Sequence, residues 1–253
     1  MPTELAPEPL FPRLFGQAER ARWKLEDLPW SSLDRTTVTP ELIQLVREII
    51  AAEATTFSAT QRFLQEFPDD LDFTNWISVW FYEETKHPQV LVRWLAELGE
   101  HCDDAFLRRA RVTVPFMKSR MATLVTNIVS EMVASARYMS LRARSPEPVL
   151  GQIAARLAGD EARHAASFFL FAQRRLAMPA TADADRRDAL KVLYLWSKEN
   201  AHVHHPVNLF KTAASPQVLA AMQGRIFRMV GHLIGYPLRT LDDVVSQLRD
   251  VDR

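Results

Sequence analysis

From residue 40 to residue 178, apolar positions recur three and four apart, and prolines fall where the recurrence breaks. Over residues 40–67 the stripe is Leu42, Leu45, Val46, Ile49, Ile50, Phe57 and Phe63, with Thr39 placed to cap the helix and Pro40 at its first position. That predicts one long helix. A second is predicted over residues 71–98, with Trp76, Trp80, Leu91 and Leu95 inward, Pro88 bending its interior and Gly99 ending it. A third, over 116–144, carries Met117, Met121, Leu124, Ile128 and Tyr138; a fourth, over 148–178, carries Ile153, Leu157, Phe168 and Phe171. A charged stretch, 100–114, is long enough to return the chain along the bundle. Residues 1–39 are expected as an N-terminal extension, of which residues 1–20, with Pro2, Pro7, Pro9 and Pro12, drape over the body or stay loose. Beyond the polar linker 182–185, three further helices are predicted at 185–201, 216–234 and 237–251. The expectation is all-α: a four-helix bundle over 40–178 with a C-terminal helical annex, 179–253, packed on it as a single domain.

Two of these apolar stripes contain an acid, Glu53 in the first helix and Glu131 in the third. A carboxylate on a buried face must be paired, protonated or bound to metal. The second and fourth helices each carry Glu-x-x-His, as Glu84 with His87 and Glu161 with His164. Three residues apart on a helix, such a pair shares one face and can grip one ion. The midpoint between Glu53 and Glu84 falls at Pro68-Asp69, and that between Glu131 and Glu161 at Pro146. A turn halfway makes each pair an antiparallel hairpin with its ligands at one height, about 20 Å from the turn at roughly 1.5 Å per residue. Two packed hairpins then bring four carboxylates and two imidazoles to one point. Oxygen and nitrogen ligands suit iron or manganese, and the chain has no cysteine set for zinc or an iron–sulfur cluster. Glu83 and Asp160, directly before each motif, are placed to accept the ligating histidines' other ring N–H, and Trp80 and Ser135 are further neighbours of the site.

The motifs Trp76-x-x-x-Trp80-x-x-Glu83-Glu84-x-x-His87 and Ala158-Gly159-Asp160-Glu161-Ala162-Arg163-His164 resemble those of soluble acyl carrier protein desaturases, members of the ferritin-like di-iron carboxylate proteins. The resemblance implies a ferritin-like bundle holding two iron ions, or manganese with iron. It places Glu53, Glu84 and His87 about one ion and Glu131, Glu161 and His164 about the other, bridged by Glu84 and Glu161. It implies an O₂-dependent oxidoreductase acting on an acyl chain or similar carrier-bound substrate, a ferredoxin-type electron donor and a homodimer. One position departs from the pattern: desaturases carry Thr three residues after the lone Glu of the third helix, where this chain has Ala134. The same ligand set also serves hydroxylases and N-oxygenases of small molecules and ferritin-like iron-oxidising proteins.

Thirty-one basic residues balance thirty-one acidic ones, so no global charge points to nucleic acid, and an acidic partner needs a local patch such as Arg108, Arg109 and Arg111. The single cysteine, Cys102, excludes an internal disulfide and favours a reducing compartment. No apolar run of membrane-crossing length and no secretion signal is visible, so the expected location is the cytoplasm. His202, His204 and His205 form a cluster without a matching acid and are expected at a loop or helix end. Phe168, Phe169 and Phe171 are expected as ordinary core, with the lining of a substrate cavity as the alternative.

Overall fold

The computed structural model describes residues 8–111, 117–198 and 216–251, which are helical with no strand among them. In order the helices are α1 (Phe11–Ala21), α2 (Pro40–Glu53), α3 (Thr56–Glu66), α4 (Leu71–Glu97), α5 (Asp104–Ala110), α6 (Arg120–Arg144), α7 (Pro148–Leu176), α8 (Ala182–Ser197), α9 (Pro216–Ile234) and α10 (Leu241–Val251). Short side chains start several of them. Thr39, Asp70 and Ser119 each accept a first-turn backbone N–H, from Leu42, Phe73 and Ala122. α2 and α3 pack on α4 as one hairpin, and α6 packs on α7 along its length as the other. α4 against α7 joins them into the expected four-helix bundle, and α8 lies on α6 and α7.

The long first helix expected over 40–67 is broken. α2 ends at Glu53, Ala54 and Thr55 turn, and α3 restarts at Thr56. Thr55 Oγ1 donates to the Ala52 carbonyl at 2.7 Å, the local bond by which threonine competes with the helix ladder and bends it. Pro88, by contrast, stays inside α4 without ending it, removing the N–H that would reach the Glu84 carbonyl. From residue 8 the N-terminal stretch lies over the body, as one of its two expected alternatives had it; Pro2 and Pro7 lie outside the described residues. Pro12 occupies the first turn of α1, where a missing N–H costs nothing, and Asp72 accepts the Leu10 and Phe11 N–H groups at 2.9 and 2.8 Å. The linker 182–185 is in fact the first turn of α8, where its acids suit the positive helix end; Asp185 there accepts from Arg175 and Thr181. The start expected for the third helix, residue 116, and the histidines His202, His204 and His205 lie outside the described residues.

The turn between α6 and α7 is held by a buried acid. Glu147 accepts four N–H groups: Trp94 Nε1 and Leu150 N, both at 2.7 Å, Val149 N at 3.1 Å and Asp34 N at 3.2 Å. All acceptor positions of the carboxylate are therefore used. Glu147→Gln, which turns an NH₂ toward two of those donors, is expected to cost about 3 kcal/mol, nearly as much as Glu147→Ala. Denaturant midpoints of both variants check this, and a Gln variant as stable as the parent would contradict it.

Candidate metal centre

The turn geometry brings the four acids and two histidines picked out in the sequence to one level. Glu53 ends α2, Glu84 and His87 lie one turn apart on α4, Glu131 faces them from α6, and Glu161 and His164 lie one turn apart on α7. All are buried except Glu53, which is half-buried. Their ligand atoms converge in two groups: Glu84, Glu131, Glu161 and His164, and Glu53, Glu84 and His87, each within 4.8 Å. Glu84 belongs to both. Nδ1 of His164 is 2.8 Å from Glu84 and 3.1 Å from Glu161; Nδ1 of His87 is 3.3 Å from Glu53 and 3.4 Å from Glu161.

The outer nitrogens are held crosswise. Nε2 of His164 meets Glu83 at 3.0 Å, and Nε2 of His87 meets Asp160 at 3.3 Å. Each acid preceding one motif thus holds the other motif's histidine. With the proton on Nε2 and donated outward, the Nδ1 lone pair faces the centre. Arg163 ties the two outer acids together, through Glu83 at 3.1 Å and Asp160 at 2.5 Å. Trp80 Nε1 donates to Glu131 at 3.1 Å, Thr56 Oγ1 to Glu84 at 3.2 Å, and Tyr138 O–H to Glu53. Ser135 does not join them: its hydroxyl donates to the Ala158 carbonyl at 2.9 Å, tying α6 to α7.

Sequence reasoning missed Trp23. Buried just after the end of α1, within the N-terminal extension, it donates Nε1–H to Asp160 at 2.8 Å, while the buried Lys86 ammonium sits 4.5 Å over its ring. Nothing local to Trp23 announces this contact. Thr56 and Tyr138 were findable in principle, standing three and seven residues after a ligand Glu and so near its helix face.

The electrostatics fit a cationic guest. Burial, then the Glu161 charge, raises Glu84 to about 7, and burial with the Glu161 and Glu84 charges raises Glu131 well above the carboxylate range. Burial pushes both imidazoles down, but the acids around them more than compensate and hold His87 and His164 well above their ordinary value. Glu161, despite burial, is pulled well below its usual value by His87 and His164, and Asp160 to about 2 by His87 and Arg163. Protons here stand where positive charge is wanted. Glu84 Oε1 is buried and makes no hydrogen bond, although His164 Nδ1 is 2.8 Å away off the hydrogen-bonding axis. In the metal-free centre Nδ1 of His87 shares a hydrogen bond with Glu53 and Nδ1 of His164 one with Glu161, so a divalent ion would take the place of the proton at each, and with the unpaired Glu84 Oε1 between them the residues fit two such ions.

These shifts set a pH dependence. Above about pH 4.5 the native metal-free protein holds more protons on Glu84, Glu131, His87 and His164 than its unfolded chain does, so its stability falls as pH rises. Glu161 and Asp160 act oppositely, adding stability that is lost only as pH falls below the usual carboxylate range. The melting temperature of chelator-treated protein is expected to drop between about pH 5 and about pH 8, and added Fe(II) or Mn(II) to stabilise more at the higher pH. Parallel curves with and without metal would contradict this.

Beside Glu84 lies a cavity of about 20 Å³ walled by Ala52, Thr56, Ala59, Trp80, Asn127, Ala134 and the acids, room for little more than one water-sized molecule. The Phe168 and Phe171 rings line no part of it. They belong to the aromatic core below, where Phe168 meets Trp76, Phe63, Trp80 and Phe73.

The chain is a helical bundle with a buried ring of carboxylates and histidines between its paired helices, a donor set that could hold two metal ions. The same fold occurs in solved structures of R2-like ligand-binding oxidases. One, a variant with an anaerobically reconstituted Mn/Fe cofactor, aligns with TM-score 0.61 over 92% of this chain and 95% of that chain at 17% identity. Another, from Sulfolobus acidocaldarius, aligns with TM-score 0.59 over 90% of each chain at 16% identity. No protein-family model and no curated protein matches the sequence. Among the described residues no helix is long and apolar enough to cross a membrane.

Proposed function

We propose that the protein is an O₂-dependent oxidoreductase holding two metal ions, iron with iron or manganese with iron, in the Glu53, Glu84, His87, Glu131, Glu161 and His164 cluster. The observation that carries this reading is the membership of Glu84 in both converging groups, the arrangement a bridging carboxylate needs. Bound there, two such ions supply the reduction of dioxygen and the oxidising power to attack an unactivated C–H bond. The chain's own part is to position and to seal. Glu83 and Asp160 fix the imidazoles so that Nδ1 faces inward, Trp80 and Tyr138 orient Glu131 and Glu53, and the alanine-lined wall keeps the cavity too small for bulk water.

Within that class, the resemblance of the two motifs to acyl carrier protein desaturases supports an acyl chain or similar carrier-bound substrate and a ferredoxin-type electron donor. Exposed Arg108, Arg109 and Arg111 at the end of α5 are the surface we assign to an acidic carrier. The size of the cavity favours a second reading, oxidation of a small molecule or of Fe(II) itself. Metal analysis of protein purified with iron tests the class: about two metal ions per chain are expected, and none would overturn it. Mass spectrometry after reduced protein meets O₂ and a panel of acyl carriers separates the rest. Loss of two hydrogens supports desaturation, gain of one oxygen supports hydroxylation, and unchanged acyl chains with accumulated Fe(III) support iron oxidation.

A further inference from the structure

Thr56 is the one hydroxyl on the wall of the cavity beside Glu84, among the described residues. It is buried, begins α3 directly after the break at Ala54 and Thr55, and donates from Oγ1 to Glu84 Oε2 at 3.2 Å. Trp80 Nε1 is committed to Glu131 at 3.1 Å, and one N–H of Asn127 Nδ2 is anchored back along α6 on the Thr123 carbonyl at 2.7 Å, which fixes the plane of the amide and the direction of its second N–H. Carboxylates only accept, and Ala52, Ala59 and Ala134 offer hydrocarbon. A hydroxyl differs from an indole or amide N–H in that it turns about its C–O bond and can exchange one acceptor for another. The space, about 20 Å³, admits a guest of two atoms or so and excludes an organic substrate.

We propose that Thr56 Oγ1–H is the hydrogen-bond donor that seats a diatomic guest in this cavity, dioxygen in turnover. The proposal rests on the two-metal reading above. By turning about its C–O bond the Thr56 hydroxyl would move its hydrogen bond from Glu84 to the guest, so Thr56 would touch the reacting atoms and be more than a support for Glu84.

Nitric oxide, a diatomic of dioxygen's size, is the probe, added anaerobically to protein loaded with Fe(II) and followed by infrared and absorption spectroscopy. The N–O stretch of the parent and of Thr56→Ser is expected to shift in D₂O, while that of Thr56→Val, which keeps the shape and loses the hydroxyl, stays put. Nitric oxide affinity of the Val variant should fall about fivefold to tenfold, the loss of one hydrogen bond, with its iron content unchanged. A Val variant that binds two irons and keeps the D₂O-sensitive stretch overturns the proposal. So does a Val variant that loses its iron, because Thr56 would then serve Glu84 alone. A parent protein that binds no iron overturns the two-metal reading as well, and the three results are distinguishable.

Discussion

Glu84→Gln is expected to abolish binding of the metal pair while making the metal-free protein more stable. Glu84 is the acid shared by both groups of converging atoms, so its loss damages two sites at once. Replacing a mere neighbour of a metal ligand typically weakens binding 10–100-fold, and a shared ligand should cost at least the upper figure. Glu131→Gln, which belongs to one group only, should leave about one ion per chain. The stability change has the opposite sign. Burial and the Glu161 charge hold Glu84 at about 7, so above that pH the metal-free protein carries a carboxylate it would rather protonate. A neutral amide of the same size removes that cost, and its Nε2–H₂ finds carboxylate acceptors around it. The gain should be of order 1–3 kcal/mol at about pH 8 and vanish near pH 5, where Glu84 is already protonated. Metal titration by calorimetry and melting curves at the two pH values measure both effects. A variant that binds two ions normally would break the shared-ligand arrangement.

Phe168→Ala is expected to be the most destabilising single change in the core. The ring is fully buried one turn beyond His164 on α7. It meets Trp76 edge-on at 4.7 Å, Phe63 at 5.7 Å, Trp80 at 5.9 Å and Phe73 at 6.4 Å between centroids. Removing a buried phenyl group costs about 3–5 kcal/mol in transfer energy and residual cavity, and the edge-to-face contacts add to that. For a chain of this size each kcal/mol corresponds to roughly 2–4 °C in melting temperature. The effect reaches the metal centre as well, because Trp80, which leans on Phe168, donates to Glu131. Phe168→Leu, which refills most of the space, should lose about 1–1.5 kcal/mol. The result separates the two roles this residue could have had. A ring lining a substrate pocket would be cheap to shorten, so an Ala variant with near-parental stability would contradict the packing role.

Much of the centre was legible because its rules are local. Glu84 with His87 and Glu161 with His164 share helix faces by spacing alone, Glu53 and Glu131 stand in apolar stripes, and Pro68 and Pro146 mark the turns that bring the pairs level. Local rules also misled. Pro12 read as a breaker but starts a helix, and the first bundle helix read as continuous because its apolar spacing runs on through Thr55, whose bond to Ala52 interrupts it.

The sequence by itself determined the paired helices, the six converging acids and imidazoles and the preference for oxygen and nitrogen ligands, since each follows from periodicity and donor chemistry within a few turns of chain. Only the tertiary structure decided that Glu83 holds His164 and Asp160 holds His87, that Trp23 reaches Asp160 from 137 residues away, and that Thr56 rather than a residue of α6 brings a hydroxyl to the cavity. Those pairings depend on how far one hairpin slides and turns against the other. That is set by the packing of Phe63, Phe73, Trp76 and Phe168 between them, a many-body fit that no spacing rule along one helix contains.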